Sequence, residues 1–257
     1  MAKIIFYFSG TGNSYAISKS LAEKLGETVL SPIIYANDFT LEDYHVVGFV
    51  FPVYYTHAPK IVLKILDSIK LKKEQQVFLV ASFGASWGYA LQDARSALEK
   101  YNINLQEYKV QMPGNYILEY GGLPAWYQRH ILSKMNKSIS NIATHIDDNA
   151  VTKQIKPNLL ARLAKQRAVT QINNFAALGS QFYCLNQCNL CKLCITICPV
   201  NNISILENRL VWGNRCEQCM ACIQWCPQHT ITHPSLRKKR KRYTHPDVSI
   251  LQLQERN

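Results

Sequence analysis

At 257 residues, with 47% hydrophobic and 18% charged residues, the chain has the composition of an ordinary globular protein with room for one large domain and one small one. No stretch approaches the ~20 apolar residues of a membrane span. The start, MAKIIFYFSG, runs straight into a strand pattern with no cleavable signal, so the expected compartment is the reducing cytoplasm. The formal net charge of +12 excludes an acidic protein and directs attention to anionic partners or ligands.

Residues 3–8, KIIFYF, form a continuous apolar run, as expected of a strand buried on both faces. Ser9–Ser14, S-G-T-G-N-S, follows at once. A helix then opens with Ile17, Leu21 and Leu25 on one stripe and Gly26 as its stop. Strand, small-residue loop and helix N-terminus together form a phosphate site. No Lys or Arg precedes Lys19 in this helix, so a phosphate falls to backbone N–H groups, to the hydroxyls of Ser9, Thr11 and Ser14, and to the Asn13 amide. A Walker A loop would need G-K-[ST], which is missing. A dinucleotide fingerprint would need a third glycine where Tyr15 stands, and an acidic residue that T-V-L-S-P-I-I lacks. The hydroxyl-rich loop instead resembles the FMN-phosphate loop of flavodoxins.

Further strands are expected at residues 28–34, 45–51, 76–82 and about 105–112. Amphipathic helices lie between them. One starts near Pro59 with Ile61, Val62, Ile65, Leu66 and Ile69; another carries Leu91, Ala94, Leu98 and Tyr101. Five strands alternating with helices imply an α/β domain with a doubly wound, flavodoxin-like five-stranded parallel sheet. A ligand then sits outside the carboxyl ends of the strands, at the switch point. The loops after the first, third and fourth strands should converge there. The third-strand loop is Phe51–Pro59 and the fourth is Ser82–Tyr89; both are rich in aromatics. An isoalloxazine ring needs flat apolar faces and backbone groups at its polar edge.

The FMN site expected from these loops takes Ser9, Thr11, Gly12, Asn13 and Ser14 from the first loop. It takes Pro52, Val53, Tyr54 and Tyr55 from the second, and Ser82, Phe83, Gly84, Trp87, Gly88 and Tyr89 from the third. Tyr54 or Tyr55 and Trp87 are the stacking candidates, and Gly84 and Gly88 permit close backbone approach. The bland reading is that these aromatics only cover the sheet edge. The third-strand loop carries His57 and Lys60 where flavodoxins often carry acids, so a very low flavin potential is not expected. His57 is expected to face solvent.

Y-G-G-L-P, residues 120–124, breaks the pattern. A long helix follows, with Ile131, Met135, Ile139, Ile142 and Ile146 on one face. Asp147-Asp148-Asn149 and then Lys156-Pro157 mark a second break. Residues 158–178 are expected to form one helix with Leu160, Leu163, Ile172 and Phe175 inward. Residues 151–180 are basic, with no acidic residue, and are expected to clamp the modules together.

The runs Cys188–Pro199 and Cys216–Pro227 are both C-x₂-C-x₂-C-x₃-C-P and take eight of the nine cysteines. This is the bacterial ferredoxin spacing, in which the fourth cysteine of each run serves the other cluster. Cys188, Cys191, Cys194 and Cys226 would hold one [4Fe–4S] cluster; Cys216, Cys219, Cys222 and Cys198 would hold the other. Structural zinc prefers paired C-x₂-C, and disulfides belong to oxidising compartments. The runs repeat with a period of 28 residues, and V-N-N-I-S-I and Q-H-T-I follow them symmetrically. So small a module has little core of its own, so its clusters are expected to be structural as well. Cys184, the ninth cysteine, is expected to be a buried small side chain.

The tail Arg237–Arg242 reads R-K-K-R-K-R. Such a run can mark nucleic acid or an anionic membrane; the reading taken is a solvated face or a docking patch for an acidic partner. The whole order resembles the flavodoxin–ferredoxin fusion proteins of anaerobic bacteria and archaea. That resemblance implies a flavodoxin-like FMN domain over 1–150, a basic helical linker over 151–180, a small α+β ferredoxin-like 2[4Fe–4S] domain over 181–235, and a basic tail over 236–257. The implied function is electron relay between two [4Fe–4S] clusters and FMN, linking a ferredoxin-like donor to an acceptor. The alternative is an FMN-dependent reductase of a small molecule or flavin. No nucleophile or paired-carboxylate motif marks a catalytic residue.

Overall fold

A segment such as KIIFY has no polar face to offer water. In the computed structural model, which describes residues 2–237 and 239–254 apart from the side chains of Leu160 and Gln254, it forms β1 (Lys3–Tyr7) with a neighbour on each side. The other strands of this sheet are β2 (Thr28–Pro32), β3 (Val46–Pro52), β4 (Gln76–Phe83) and β5 (Asn104–Gln111). All pairings are parallel and the order is β2-β1-β3-β4-β5, with Ile5 opposite both Leu30 and Gly48. This is the flavodoxin-like doubly wound order, whose switch point lies between β1 and β3.

Four helices cover the sheet. Phe6, Phe49 and Leu79 point to one face, under α2 (Lys60–Ser68) and α3 (Ala90–Leu98). Ile5, Tyr7, Val50 and Phe78 point to the other, under α1 (Asn13–Leu25) and α4 (Ala125–Asp147). All five expected apolar residues of α4 are buried. Among the described residues no helix is long and apolar enough to cross a membrane.

The basic stretch departs from expectation. It forms α5 (Leu159–Asn173) and a separate α6 (Phe175–Gly179), broken at Asn174. Leu163 is 77% exposed; the inward positions of α5 are Ala161 and Ala168, whose small side chains let the helix lie close. Phe175 is buried and Ile172 half-buried, while the Leu160 side chain lies outside the described residues. Asn158 caps α5 by accepting from Ala161 N and also accepts from Ser86 Oγ, which ties the helix to the loop after β4.

The cysteine-rich segment holds β6 (Tyr183–Cys184), α7 (Leu193–Thr196), β7 (Ile203–Leu206), β8 (Arg209–Trp212), α8 (Ala221–Gln224) and β9 (Ile231–Thr232). The 28-residue repeat is written into the backbone. Positive φ values recur at Leu190 and Gln218, at Lys192 and Met220, and at Asn201 and His229. The strands are not symmetric: β7 pairs with β8, but β9 pairs back to β6, ahead of the first run. The small core joins Phe182, Trp212, Ile223 and Ile231 to Ile117 and Leu118 from the loop after β5. It is therefore shared with the α/β layer.

The tail is solvated only in part: Arg237, Lys239 and Lys241 are exposed, and the other two described residues turn inward. Arg240 donates to the carbonyls of Ile117 and Leu118, and Arg242 to those of His229 and Ile231. Lys238 of this run lies outside the described residues. Beyond it Tyr243, His245 and Val248 are buried, before α9 (Ile250–Gln254).

Gly48 marks the tightest point of the sheet: a Cβ there would lie 2.1 Å from Phe78 Cζ. Gly48→Ala is expected to lower unfolding stability by about 1–3 kcal/mol through overpacking. A urea titration reads this, and Gly48→Ala,Phe78→Leu should recover part of the loss.

Candidate functional site

The carboxyl ends of β1, β3 and β4 open on a trough at the switch point. Its inner part has an empty volume of about 420 Å³, lined by Ser9, Gly10, Thr11, Asn13 and Ser14, by Pro52, Val53 and Tyr54, and by Ser82, Phe83 and Gly84. Gly12, at φ 97°, turns the chain into α1, and Gly12 N donates to Ser9 Oγ. The first turn of a helix leaves its N–H groups without intrahelical partners, so α1 directs positive potential into the trough. Among the described residues no Lys, Arg or His lines it. An anion there must be held by amides and hydroxyls. Ser14 Oγ and Ser82 Oγ lie 2.9 Å apart, bringing loops one and three together.

The Asn13 amide has other partners. Its Nδ2 donates to Pro113 O at 3.0 Å, and its Oδ1 accepts from Tyr243 OH at 2.7 Å. It braces the loop rather than presenting a free amide to phosphate.

An outer chamber of about 760 Å³ continues the trough, sharing Val53, Tyr54 and Gly84. Tyr55 lines it, with Thr56, Ser86, Tyr116, Glu119, Tyr120, Phe175 and Gln218. The structure draws Trp87, Gly88 and Tyr89 away from it. Trp87 packs edge-on to Phe83, donates Nε1–H to Lys156 O and lies under Lys109 Nζ at 3.2 Å. Gly88, at φ 53°, packs on Thr56, where a Cβ would meet Thr56 O at 2.1 Å. Tyr89 stacks on His57 at 5.2 Å. His57 does not face solvent: its Nδ1 is 2.9 Å from Asp93 Oδ2 and its Nε2 is buried.

The residues sequence reasoning missed come from the loop after β5. Met112, Pro113, Gly114, Asn115 and Tyr120 wall the inner trough, and Tyr116 and Glu119 wall the chamber. The signal was available, because every strand of a doubly wound sheet ends at this edge. Glu119 also returns a carboxylate to a site whose second loop lacks one. Tyr55 OH donates to it; burial, and then this bond, push the Tyr55 phenol up. Burial raises Tyr116 to about 12.

Two further cavities lie in the cysteine-rich segment. Cys188, Cys191, Cys194 and Cys226 line one of about 300 Å³. Cys198, Cys216, Cys219 and Cys222 line another of about 350 Å³. Burial raises the Cys194 and Cys216 thiols to about 11, and pushes Cys219 and Cys222 up as well. The four thiols of one cavity can ionise together only if a cation compensates them. Donors already face the sulfurs: Asn202 N lies 3.3 Å from Cys198 Sγ and Gln218 N 3.4 Å from Cys216 Sγ. Burial alone would raise Cys226, but N–H groups of Ile231, Thr230 and Gln228 and the Thr230 hydroxyl hold it below the usual thiol range. Among the described residues no three His, Cys, Asp or Glu side chains converge on a single mononuclear ion. Cys184 is half-buried rather than buried, beside Cys188, and burial raises it to about 12.

The second cavity adjoins the trough. A Cβ on Gly10 would lie 2.2 Å from Cys219 O, and Trp225 Nε1 donates to Gly10 O at 3.0 Å. Burial, and then the neighbouring Cys219, push the Tyr54 phenol up. Glu217 accepts from Lys60 N and Ile61 N at the start of α2.

No protein-family model and no curated protein matches this chain. Solved structures do. A flavodoxin from the domain Archaea is 13% identical at a TM-score of 0.39, over 57% of this chain and 99% of its own. An azoreductase from Bacillus anthracis str. Sterne is 11% identical at 0.41, over 56% and 99%. A two-electron reduced Megasphaera elsdenii flavodoxin is 20% identical at 0.36, over 43% and 85%.

The tail meets the first loop at His245, whose N donates to Thr11 O at 2.8 Å. Burial lowers the His245 imidazole below its ordinary 6.5, against a smaller opposing effect of Asp247. The folded state therefore favours neutral histidine. That contribution is present above pH 6.5 and is lost as pH falls toward the depressed folded value. Urea titrations at descending pH should show stability dropping below 6.5, and His245→Asn should flatten that drop.

Proposed function

We propose that this chain is an electron-transfer flavo-iron–sulfur protein, carrying FMN in the trough and a [4Fe–4S] cluster in each four-cysteine cavity. The observation that carries this reading is the sorting of eight cysteines into two cavities, one of which abuts the trough through Gly10 and Tyr54. Each cavity takes three sulfurs from one run and one from the other. Four thiolates around one body suit a cluster, in which each sulfur binds a different iron.

The flavin phosphate would lie at the N-terminus of α1, held by amides and by the hydroxyls of Ser9, Thr11 and Ser14. Its ring would extend into the chamber between Val53–Tyr55 and Gly84–Ser86, with Tyr116 and Phe175 beyond. When bound, FMN exchanges electrons singly or in pairs, and each cluster exchanges one.

The chain's own residues set the rest. Tyr54 and Gly10 hold the inner cluster site against the flavin site. Gln218 spans the two, lining the chamber while its N–H groups face Cys216 Sγ. N–H donors at a ligand sulfur raise cluster potential. Cys191 is exposed, so the first cavity is the outer one. The order is then surface, outer cluster, inner cluster, flavin, or the reverse.

A second reading is an FMN-dependent reductase of a small molecule or flavin. It is favoured by the chamber's covering wall of Tyr116, Tyr120 and Phe175. The two readings part on kinetics. Oxidation of the reduced holoprotein by free FMN that saturates at micromolar concentration indicates a substrate site, and a linear dependence indicates a carrier.

Anaerobic purification should give about eight iron, eight sulfide and one FMN per chain. Two zinc per chain, or no flavin, would end the relay reading. Ser14→Ala should raise the FMN Kd about tenfold, as expected for one hydrogen bond to a phosphate. Flavin fluorescence during titration of the apoprotein measures this.

A further inference from the structure

We infer that the outer cavity carries a docking surface for an acidic one-electron carrier protein, centred on Cys188 and Cys191 and framed by Lys192 and Arg209. This rests on the relay reading above and names where its protein partner binds.

Exposure points to the place. Cys191 and Lys192 are both exposed at the lip of the outer cavity. A groove runs from Cys188 along Tyr183, Leu185 and Leu190 to Arg209. Tyr183 and Leu185 are 48% and 47% exposed, on either side of Cys184, which packs against the small core. Their exposure gives an apolar floor between two cationic side chains, the pattern of a transient interface.

Charge selects the partner. Residues 181–235 contain three basic residues, Lys192, Arg209 and Arg215, and two acidic ones, Glu207 and Glu217. Glu217 is buried, facing the start of α2, so Glu207 in the β7–β8 turn is the only carboxylate this segment turns to solvent. Arg240 and Arg242 are bound to backbone carbonyls, so these two cations of the tail brace the fold. Lys192 and Arg209 have no such inward role and stand beside the cysteines. A carrier with a carboxylate-rich face meets complementary potential there, which speeds encounter and sets orientation.

The test uses the full-length oxidised holoprotein, with iron and flavin content verified. The probe is an oxidised acidic bacterial two-cluster ferredoxin, and calorimetry reads its Kd at low salt and at about 0.3 M salt. Lys192→Glu,Arg209→Glu should raise Kd at least tenfold and abolish its salt dependence. Lys24→Glu, on the far end of α1, should change nothing. Carbodiimide coupling should join Lys192 to carrier carboxylates in the parent protein only. Unchanged Kd in the double variant, equal weakening by Lys24→Glu, or coupling elsewhere would overturn the site. So would ferredoxin failing to bind while phosphatidylserine vesicles bind through the same two residues, which would make this a membrane face. A preparation without iron overturns the relay reading and this surface together. An iron-replete preparation that does not bind overturns the surface alone. Retained iron in the double variant separates lost docking from lost folding.

Discussion

The loop Ser9–Asn13 is gripped from behind by a segment more than two hundred residues away in sequence, and the other features depend on that grip. Gly10 has no side chain, so the backbone of Cys219 can lie against it. Trp225 then donates to Gly10 O, Tyr243 N donates to Gln224 Oε1, and Tyr243 OH reaches Asn13. His245 N closes on Thr11 O. Each buried bond contributes about 1 kcal/mol, and leaving any one partner unpaired would cost more. The loop that offers amides to the trough and the segment that offers sulfurs to the inner cavity are thus one construction.

The charge of the chain looks different once its cations have partners. A basic run suggests a polyanion. Arg240 and Arg242 instead hold carbonyls of the loops that build the small core. Their positions follow from composition, because a segment with so few strands has many carbonyls that no sheet satisfies. Acids are redistributed in the same way. The loop after β3 lacks them, yet Glu119 reaches the chamber from the loop after β5 and Glu217 reaches α2 from the cysteine-rich segment.

The proposed relay depends on this sharing of parts. Gln218 belongs to a cysteine run, but its side chain lines the chamber and accepts from Tyr116 OH. Phe175 belongs to the helical insert, yet it packs on Tyr55. The loops of the β-sheet do not wall this chamber alone; Phe175 of the insert and Gln218 of the cysteine-rich segment also line it.

Much was legible from sequence because it rests on local chemistry. KIIFYF has no polar face, so it had to be a buried strand. Glycine and hydroxyl residues between a strand and a helix are the local signature of a phosphate-binding turn. The cysteine spacing sets which sulfurs can reach one body, and the six positive-φ positions at a 28-residue period echo it in the backbone. What sequence could not decide were choices between equivalent local options. Leu163 faces outward because alanines let α5 approach closely, and Trp87 turns to Lys109 and Lys156 rather than to the trough. Asn13 is committed to Pro113 and Tyr243. The partners of Trp87 and Asn13 are 22 or more residues away, and only tertiary packing brings such partners within the few ångströms over which contacts and hydrogen bonds act.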